Sequence, residues 1–290
     1  MLQEIKDTKE KTECSHPLDQ AMLLTGDAGK YVAKTSPAYQ NMVGPFGGVT
    51  AAQLLQSVLI HPDRQGSPVS LTVNFLGPIR PGDLEIESVL LRANRSNQHW
   101  MIQLMQGDEI QCSATCVFAL RKNTWESLEL TCPEAPKYDS LAALPDFPMT
   151  PWVNQYDMRF VSGSPFDTDR SDGRADDGAK AEYGNLSESL LWMSDSPRRK
   201  LDFPSLTALS DAFFPRLFVR KKKFAPIGTV SLTVHFHTTE AQLQHLPSPA
   251  VLGQARASKF SGNYFDQTSE IWGADNSLLA TASQMVYYKD

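Results

Sequence analysis

Asp211 and Thr229 are the residues of this chain whose type and spacing point to chemistry. Asp211 lies in Pro204-Ser-Leu-Thr-Ala-Leu-Ser-Asp-Ala-Phe-Phe-Pro-Arg-Leu217. There Leu206, Leu209, Phe213 and Leu217 recur at helical spacing and Ser205 is placed as an N-cap. An aspartate in mid-helix is out of place, because its short carboxylate competes for backbone amides. Thr229 opens Thr229-Val-Ser-Leu-Thr-Val-His-Phe236, in which Val230, Leu232, Val234 and Phe236 alternate with Thr229, Ser231, Thr233 and His235. That alternation predicts a strand with one apolar and one polar face. A carboxylate and a hydroxyl meeting where a helix lies against a sheet are parts of a water-activating site. Between them runs the basic cluster Arg216, Arg220, Lys221, Lys222 and Lys223, either a landing patch for phosphates or a solvated turn.

Other chemistry finds less support. His235 and His237 share a strand face, but no third ligand accompanies them, so no metal site is expected. Cys14 and His16 fall in a polar tail that has nothing to orient them. No Gly-x-Ser-x-Gly elbow, phosphate-binding loop or dinucleotide fingerprint is present, which argues against a serine hydrolase or a nucleotide enzyme. The 290 residues carry 27 Lys+Arg against 33 Asp+Glu, a net charge of −6 that disfavours nucleic acid as the main partner. No apolar run approaches the ~18 residues of a membrane span. Met1 to Lys11 is too polar for a secretory signal, and the four cysteines form no Cys-x-x-Cys pair. Cytoplasmic, reduced thiols are the expectation.

The elements that position these residues come as one pattern written twice. Gly44-Pro-Phe-Gly-Gly48 feeds an apolar helix over 49–60. Strands are expected at Ser70–Phe75 and at 83–92, followed by a hairpin over 100–120. Ser231-Leu-Thr-Val-His-Phe236 then echoes Ser70-Leu-Thr-Val-Asn-Phe75 at an offset of 161. Arg256–Lys259 echoes Arg92–Arg95 at 164, Trp272-Gly273 echoes Gln106-Gly107 at 166, and 282–289 echoes 114–121 at 168. An offset that only grows is what loop insertions after a tandem duplication produce. The expected organisation is a tail over 1–16, a first unit over 17–122, a linker over 123–154 and a second unit over 155–290. The second unit holds an irregular insertion at 163–184, either a surface loop or a lid. Each unit is an α+β arrangement, a long helix wrapped by a curved antiparallel sheet.

With these residues in place, the chain resembles the acyl-CoA thioesterases of the double-hotdog type, over about Tyr31 to Tyr288. Phe46-Gly-Gly48 before the first helix is similar to the family's Phe-Gly-Gly. Leu209-Ser-Asp-Ala212 is similar to its helix with an embedded Asp, Gly228-Thr229 to its second-half strand, and Ala282-Ser-Gln-Met285 to its last strand. The resemblance implies a tandem hotdog fold and hydrolysis of an acyl-CoA or acyl-carrier thioester. It implies that Asp211, Thr229 and Gln284 hold and polarise the water, Asp211 as base. Backbone amides at Gly47 and Gly48 are candidates for the oxyanion, and Arg220, Lys221 and Lys222 for the coenzyme A phosphates. No cofactor beyond the coenzyme A of the substrate is expected, and self-association of this double unit is. Cys116 holds the first-half place of Gln284, and Gln53 and Leu54 lie near that of Asp211, so one site per chain is expected. Other expectations on this scaffold are a dehydratase, a polyketide-releasing enzyme or a non-catalytic acyl-thioester binder.

Overall fold

The computed structural model describes residues 16–167 and 186–289. The first unit runs α1 (Pro17–Ala21), β1 (Thr25–Asp27), β2 (Lys30–Lys34), α2 (Gly47–Leu59), β3 (Ser67–Phe75), β4 (Asp83–Ala93), β5 (Asn97–Gln106) and β6 (Glu109–Ala119). The second runs β7 (Tyr156–Ser162), β8 (Ser189–Asp195), α3 (Phe203–Ser210), α4 (Arg216–Lys221), β9 (Ile227–Phe236), α5 (Glu240–Gln244), β10 (Val251–Arg256), β11 (Tyr264–Gly273) and β12 (Leu278–Tyr288). These strands form one antiparallel sheet in the order β1-β2-β4-β5-β6-β3-β9-β12-β11-β10-β8-β7. Read outward from the middle, the two halves have the same order, strand for strand.

The duplication is the reason. β3 and β9 carry the echoing hexapeptides, and they pair with each other about a local two-fold axis. Thr72 opposes Thr233, its own counterpart at the 161-residue offset, and their hydroxyls meet at 3.1 Å. A self-complementary contact of this kind is how two copies of one unit close on each other. The other echoes also fall at equivalent places, at the ends of β4 and β10, at the ends of β5 and β11, and along β6 and β12.

α2 is almost wholly buried, its Thr50, Gln53 and Ser57 included, as a helix held inside a molecule is. His61-Pro62 follow it, and a residue before proline is pushed out of helical geometry. α2 packs against α3, and a single hydrophobic core joins Leu54, Trp100 and Phe118 of the first unit to Leu206, Leu209 and Val234 of the second. The contact is close enough that a Cβ on Gly48 would lie 2.6 Å from the Ala208 carbonyl oxygen.

The helix expected from Ser205 through Leu217 is two helices. Asp202 is the N-cap of α3, and its side chain accepts from the Ser205 amide at 2.8 Å, so Ser205 is an interior residue. α3 stops at Ser210, and α4 begins after Pro215, which disfavours helix at Phe214. Asp211 is thus the C-cap of α3 and not a mid-helix residue. α4 covers a small second core of Leu217, Phe218, Phe265, Val286 and Tyr288.

The stretch read as linker ends by entering the core. A 3-10 turn at Pro151–Gln155 buries Trp152 and Val153. His16, read as the end of the tail, is buried too. It caps α1 and bonds the Pro197 carbonyl oxygen at 2.7 Å. The rest of the tail, and residues 168–184 of the irregular insertion, lie outside the described residues.

Candidate active site

Three elements meet at Asp211. α3 ends there, β12 brings Gln284, and the N-terminus of α2 brings Gly47 and Gly48. Gln284 alternates onto the inward face of β12 and donates from Nε2 to Asp211 Oδ1 at 2.8 Å, with both residues buried. The Gly48 backbone amide, at the start of α2, also favours the ionised carboxylate. A Cβ on Gly47 would sit 2.8 Å from Asp211 Oδ2, so glycine is what lets the carboxylate reach the helix end. The first-turn amides of Gly47, Gly48 and Val49 have no backbone acceptor among the described residues, as at any helix start. A carboxylate placed there is favoured by the helix dipole. Burial works against that effect and dominates, pushing the Asp211 carboxyl up to about 7, while Gln284 and the Gly48 amide hold it down.

Thr229 reaches the same face by an irregularity. The strict alternation expected of this strand put Thr229 on the polar face with Ser231. Instead the register shifts, so that Thr229 pairs Val286 and Ser231 pairs Met285, leaving Val230 as the extra residue of a bulge. Val286 is buried and Met285 exposed, so Thr229 is turned inward and Val230 outward. Gln284 lies two residues from Val286 on that inward face, a diagonal neighbour of Thr229. The Thr229 hydroxyl makes no hydrogen bond to a described side chain. The three residues thus share one face, with Asp211 and Gln284 already bonded and the hydroxyl beside them.

The basic run divides. Arg216 is fully buried, and its guanidinium donates to Gln267 Oε1 (2.9 Å), Ser189 Oγ (2.8 Å), the Ser187 and Ala255 carbonyls (3.0 and 3.2 Å) and the Phe214 carbonyl. It ties α4 to β8, β10 and β11, and is no part of a surface patch. Arg216→Leu leaves these acceptors unpaired and is expected to cost about 3 kcal/mol of stability, read as a lower denaturant midpoint at unchanged slope. Arg220 and Lys221 are half-buried at the end of α4. Lys222 is exposed, in left-handed geometry at φ 52°, with its ammonium on the Ser164 carbonyl at 2.6 Å.

The first half lacks the polar set. Cys116 is buried among apolar neighbours, which raises its thiol far above the ordinary value. Gln53 spends its amide on the carbonyls of Ala21 and Lys34, both at 2.9 Å. His235 is exposed, and His237 bonds the Thr281 hydroxyl at 3.0 Å. Among the described residues no three His, Cys, Asp or Glu side chains gather as a metal site. A cleft of about 680 Å³ lies between residues 128–135 and Trp192, Leu252 and Asn276, and one of about 300 Å³ beside Leu243, but neither includes Asp211.

Trp152 and Tyr156 join Phe46 and Phe214 in an aromatic wall beside Asp211, and no sequence signal marks these two. Phe46 stacks on Trp152 at 4.3 Å and 6° between planes, and Tyr156 and Phe214 extend the wall. No periodicity marks Trp152, which comes from a 3-10 turn at the end of the supposed linker.

Comparisons with known proteins agree with this architecture. Residues 36–119 match a family described as the acyl-CoA thioesterase N-terminal domain, and residues 131–288 match the acyl-CoA thioesterase C-terminal domain. A conserved hot dog fold protein of unknown function from Alicyclobacillus acidocaldarius is 38% identical, with a TM-score of 0.87 over 95% of this chain and 99% of that one. An acyl-CoA thioesterase II from Mycobacterium marinum is 17% identical, with a TM-score of 0.69 over 94% and 98% of the chains. The tesB protein of Mycobacterium avium subspecies paratuberculosis is 16% identical, at 0.73 over 94% and 98%. At such identities the last two show the fold, a tandem double hotdog. No curated protein matches the chain.

Proposed function

The chain belongs to the acyl-CoA thioesterase family, and from that premise we propose how its site works. The protein is a thioester hydrolase: acyl-CoA and water give the free acid and coenzyme A. In our reading Asp211 is the general base. It takes a proton from a water whose oxygen attacks the thioester carbon, with no covalent acyl-enzyme. Gln284 fixes the carboxylate through Nε2, which leaves its Oε1 to accept the second hydrogen of the water. The Thr229 hydroxyl holds the water from the other side. The Gly47 and Gly48 amides, at the positive end of α2, are the donors assigned to the oxyanion. The sulfur then leaves and recovers the proton from Asp211.

The observation that carries this reading is the 2.8 Å bond between Gln284 and a carboxylate buried at a helix N-terminus. The dominant burial effect gives the sign of the pH dependence. Asp211 acts as a base only when ionised, so kcat is expected to fall as pH drops through about 7, approaching tenfold per pH unit below it. A profile flat from about pH 5 to 8 would exclude Asp211 as the base.

Several finer features belong to the same proposal. Arg220, Lys221 and Lys222 receive the phosphates of the coenzyme A, supported by their place at the C-terminus of α4, a few residues before Thr229. The reaction needs no cofactor. The setting is lipid metabolism in the cytoplasm, in keeping with unpaired Cys112, Cys116 and Cys132. No helix among the described residues is long and apolar enough to cross a membrane. Self-association uses the outer sheet face, where Val230, Met285, Tyr264 and Tyr287 are exposed on adjoining strands.

A further inference from the structure

A second buried carboxylate lies at the other end of α3. Asp195 closes β8 at 2% exposure, and its Oδ2 accepts from Ser205 Oγ at 2.6 Å and lies 3.7 Å from Arg199 Nη1. Its Oδ1 has no hydrogen-bond partner among the described residues. The same is true of three other buried atoms in this region: Tyr39 Oη, Tyr156 Oη and Arg199 Nε. Tyr156 is the cross-strand partner of Asp195, and its ring meets that of Tyr39 edge-on at 6.1 Å. The Tyr156 ring also meets that of Phe46 edge-on at 6.1 Å, and Phe46 directly precedes Gly47, where an added Cβ would lie 2.8 Å from Asp211 Oδ2. The unmatched atoms are complementary, two hydroxyls and one N–H against one carboxylate oxygen. Left unpaired, each would cost on the order of 1–3 kcal/mol. Buried polar groups of this kind are ordinarily satisfied by ordered water with two to four polar partners.

We propose that water held by Tyr39, Tyr156 and Asp195 joins Asp211 to Asp195, and that water on Arg199 Nε joins Asp195 to Asp19 at the surface, forming a path for the proton that each turnover releases. The inference rests on Asp211 being the base. Hydrolysis bonds the water oxygen to the acyl carbon and breaks the C–S bond. Sulfur keeps the bonding pair and regains the proton that Asp211 took. The acid product then loses its own proton at neutral pH, and Asp211, the adjacent base, accepts it. Asp211 must give that proton up before it can activate the next water. It passes to the bridging water and the Tyr156 hydroxyl, each donating its own proton as it accepts one, and so to Asp195.

Asp195 suits the receiving end. Burial raises its carboxyl to about 6, with Ser205, Arg199 and His16 lowering it and Asp202 raising it. Arg199, only part-buried, stays protonated and passes no proton itself; it bonds Asp19 at 2.7 Å, so a water on its Nε leads from Asp195 to the surface beside α1. Asp195 and Tyr156 are positioning residues here, since neither touches the thioester.

The test uses the full chain with Asp195→Asn, Tyr156→Phe and Asp211→Asn assayed side by side on acyl-CoA in dilute and in concentrated imidazole buffer. Asp195→Asn and Tyr156→Phe are expected to lower kcat about tenfold in dilute buffer at unchanged KM, with a larger solvent deuterium isotope effect than wild type. Concentrated imidazole should restore both, because a small base can collect the proton directly. Tyr156→Phe keeps the ring and removes only an unpartnered hydroxyl, so it serves if Asp195→Asn does not fold. Wild-type kcat in dilute buffer, or a loss that imidazole does not restore, would overturn the relay. Wild-type activity in Asp211→Asn would instead overturn the base.

Discussion

Asp211→Asn is expected to lower kcat by about 10³-fold, within the range for removing a positioned general base, while KM for acyl-CoA stays nearly unchanged. The substitution is isosteric and keeps one oxygen to accept from Gln284 Nε2. It removes the second acceptor oxygen, the charge and the ability to take a proton. Stability should move the other way. The folded carboxyl titrates near 7 against a reference of 3.8. For an acid raised by folding, the folded state is favoured below the unfolded value, and that advantage is lost as pH rises through the folded one. Above pH 7 the wild type therefore holds a buried charge at a cost of up to about 4 kcal/mol at pH 8. The variant is expected to melt at a higher temperature than wild type at pH 8, and at a similar one near pH 4. Loss of activity together with a lowered melting temperature at pH 8 would mean that Asp211 holds the fold instead of activating water.

Gly48→Ala is expected to destabilise the protein by about 3 kcal/mol and to abolish hydrolysis. Its added methyl would stand 2.6 Å from the Ala208 carbonyl oxygen and 2.6 Å from Phe46 Cε1. The carbonyl belongs to α3 and is backbone, so it has no rotamer through which to yield. α2 and α3 must separate, and the carboxylate at the end of α3 then leaves the amide at the start of α2. Gly228→Ala is the control. It lies just before Thr229, and nothing stands within 4 Å of the place its methyl would take, so it should shift the denaturant midpoint little. Equal midpoints for the two variants would contradict the close approach.

The fold was legible because the chain says it twice. Ser70–Phe75 and Ser231–Phe236 carry the same pattern, and their pairing at the centre of the sheet is what a duplicated, self-complementary strand does. Asp211 was legible as a residue out of place, but its setting was not. The helical period runs through Phe213 and Leu217 as if unbroken, whereas Pro215 and the turn after Ser210 end α3 where the carboxylate can cap α2. Thr229 was placed on the wrong face, since alternation cannot register a bulge that depends on the partner strand. Arg216 looked like one more charge in a basic run, because only the packing of β8, β10 and β11 around it makes it a core residue. Trp152 and Tyr156 carry no local signal at all. Gln284 came from family resemblance, and nothing in the alternation of β12 separates it from a solvent-facing amide.

The most direct test of water attack without an acyl-enzyme is a single turnover in H₂¹⁸O, with enzyme in excess over acyl-CoA, followed by mass analysis of the released acid and of the peptide containing Asp211. The mechanism requires one ¹⁸O in the acid and none in the Asp211 carboxylate. Label in Asp211, left by hydrolysis of an acyl anhydride on that side chain, would make it a nucleophile and contradict the account.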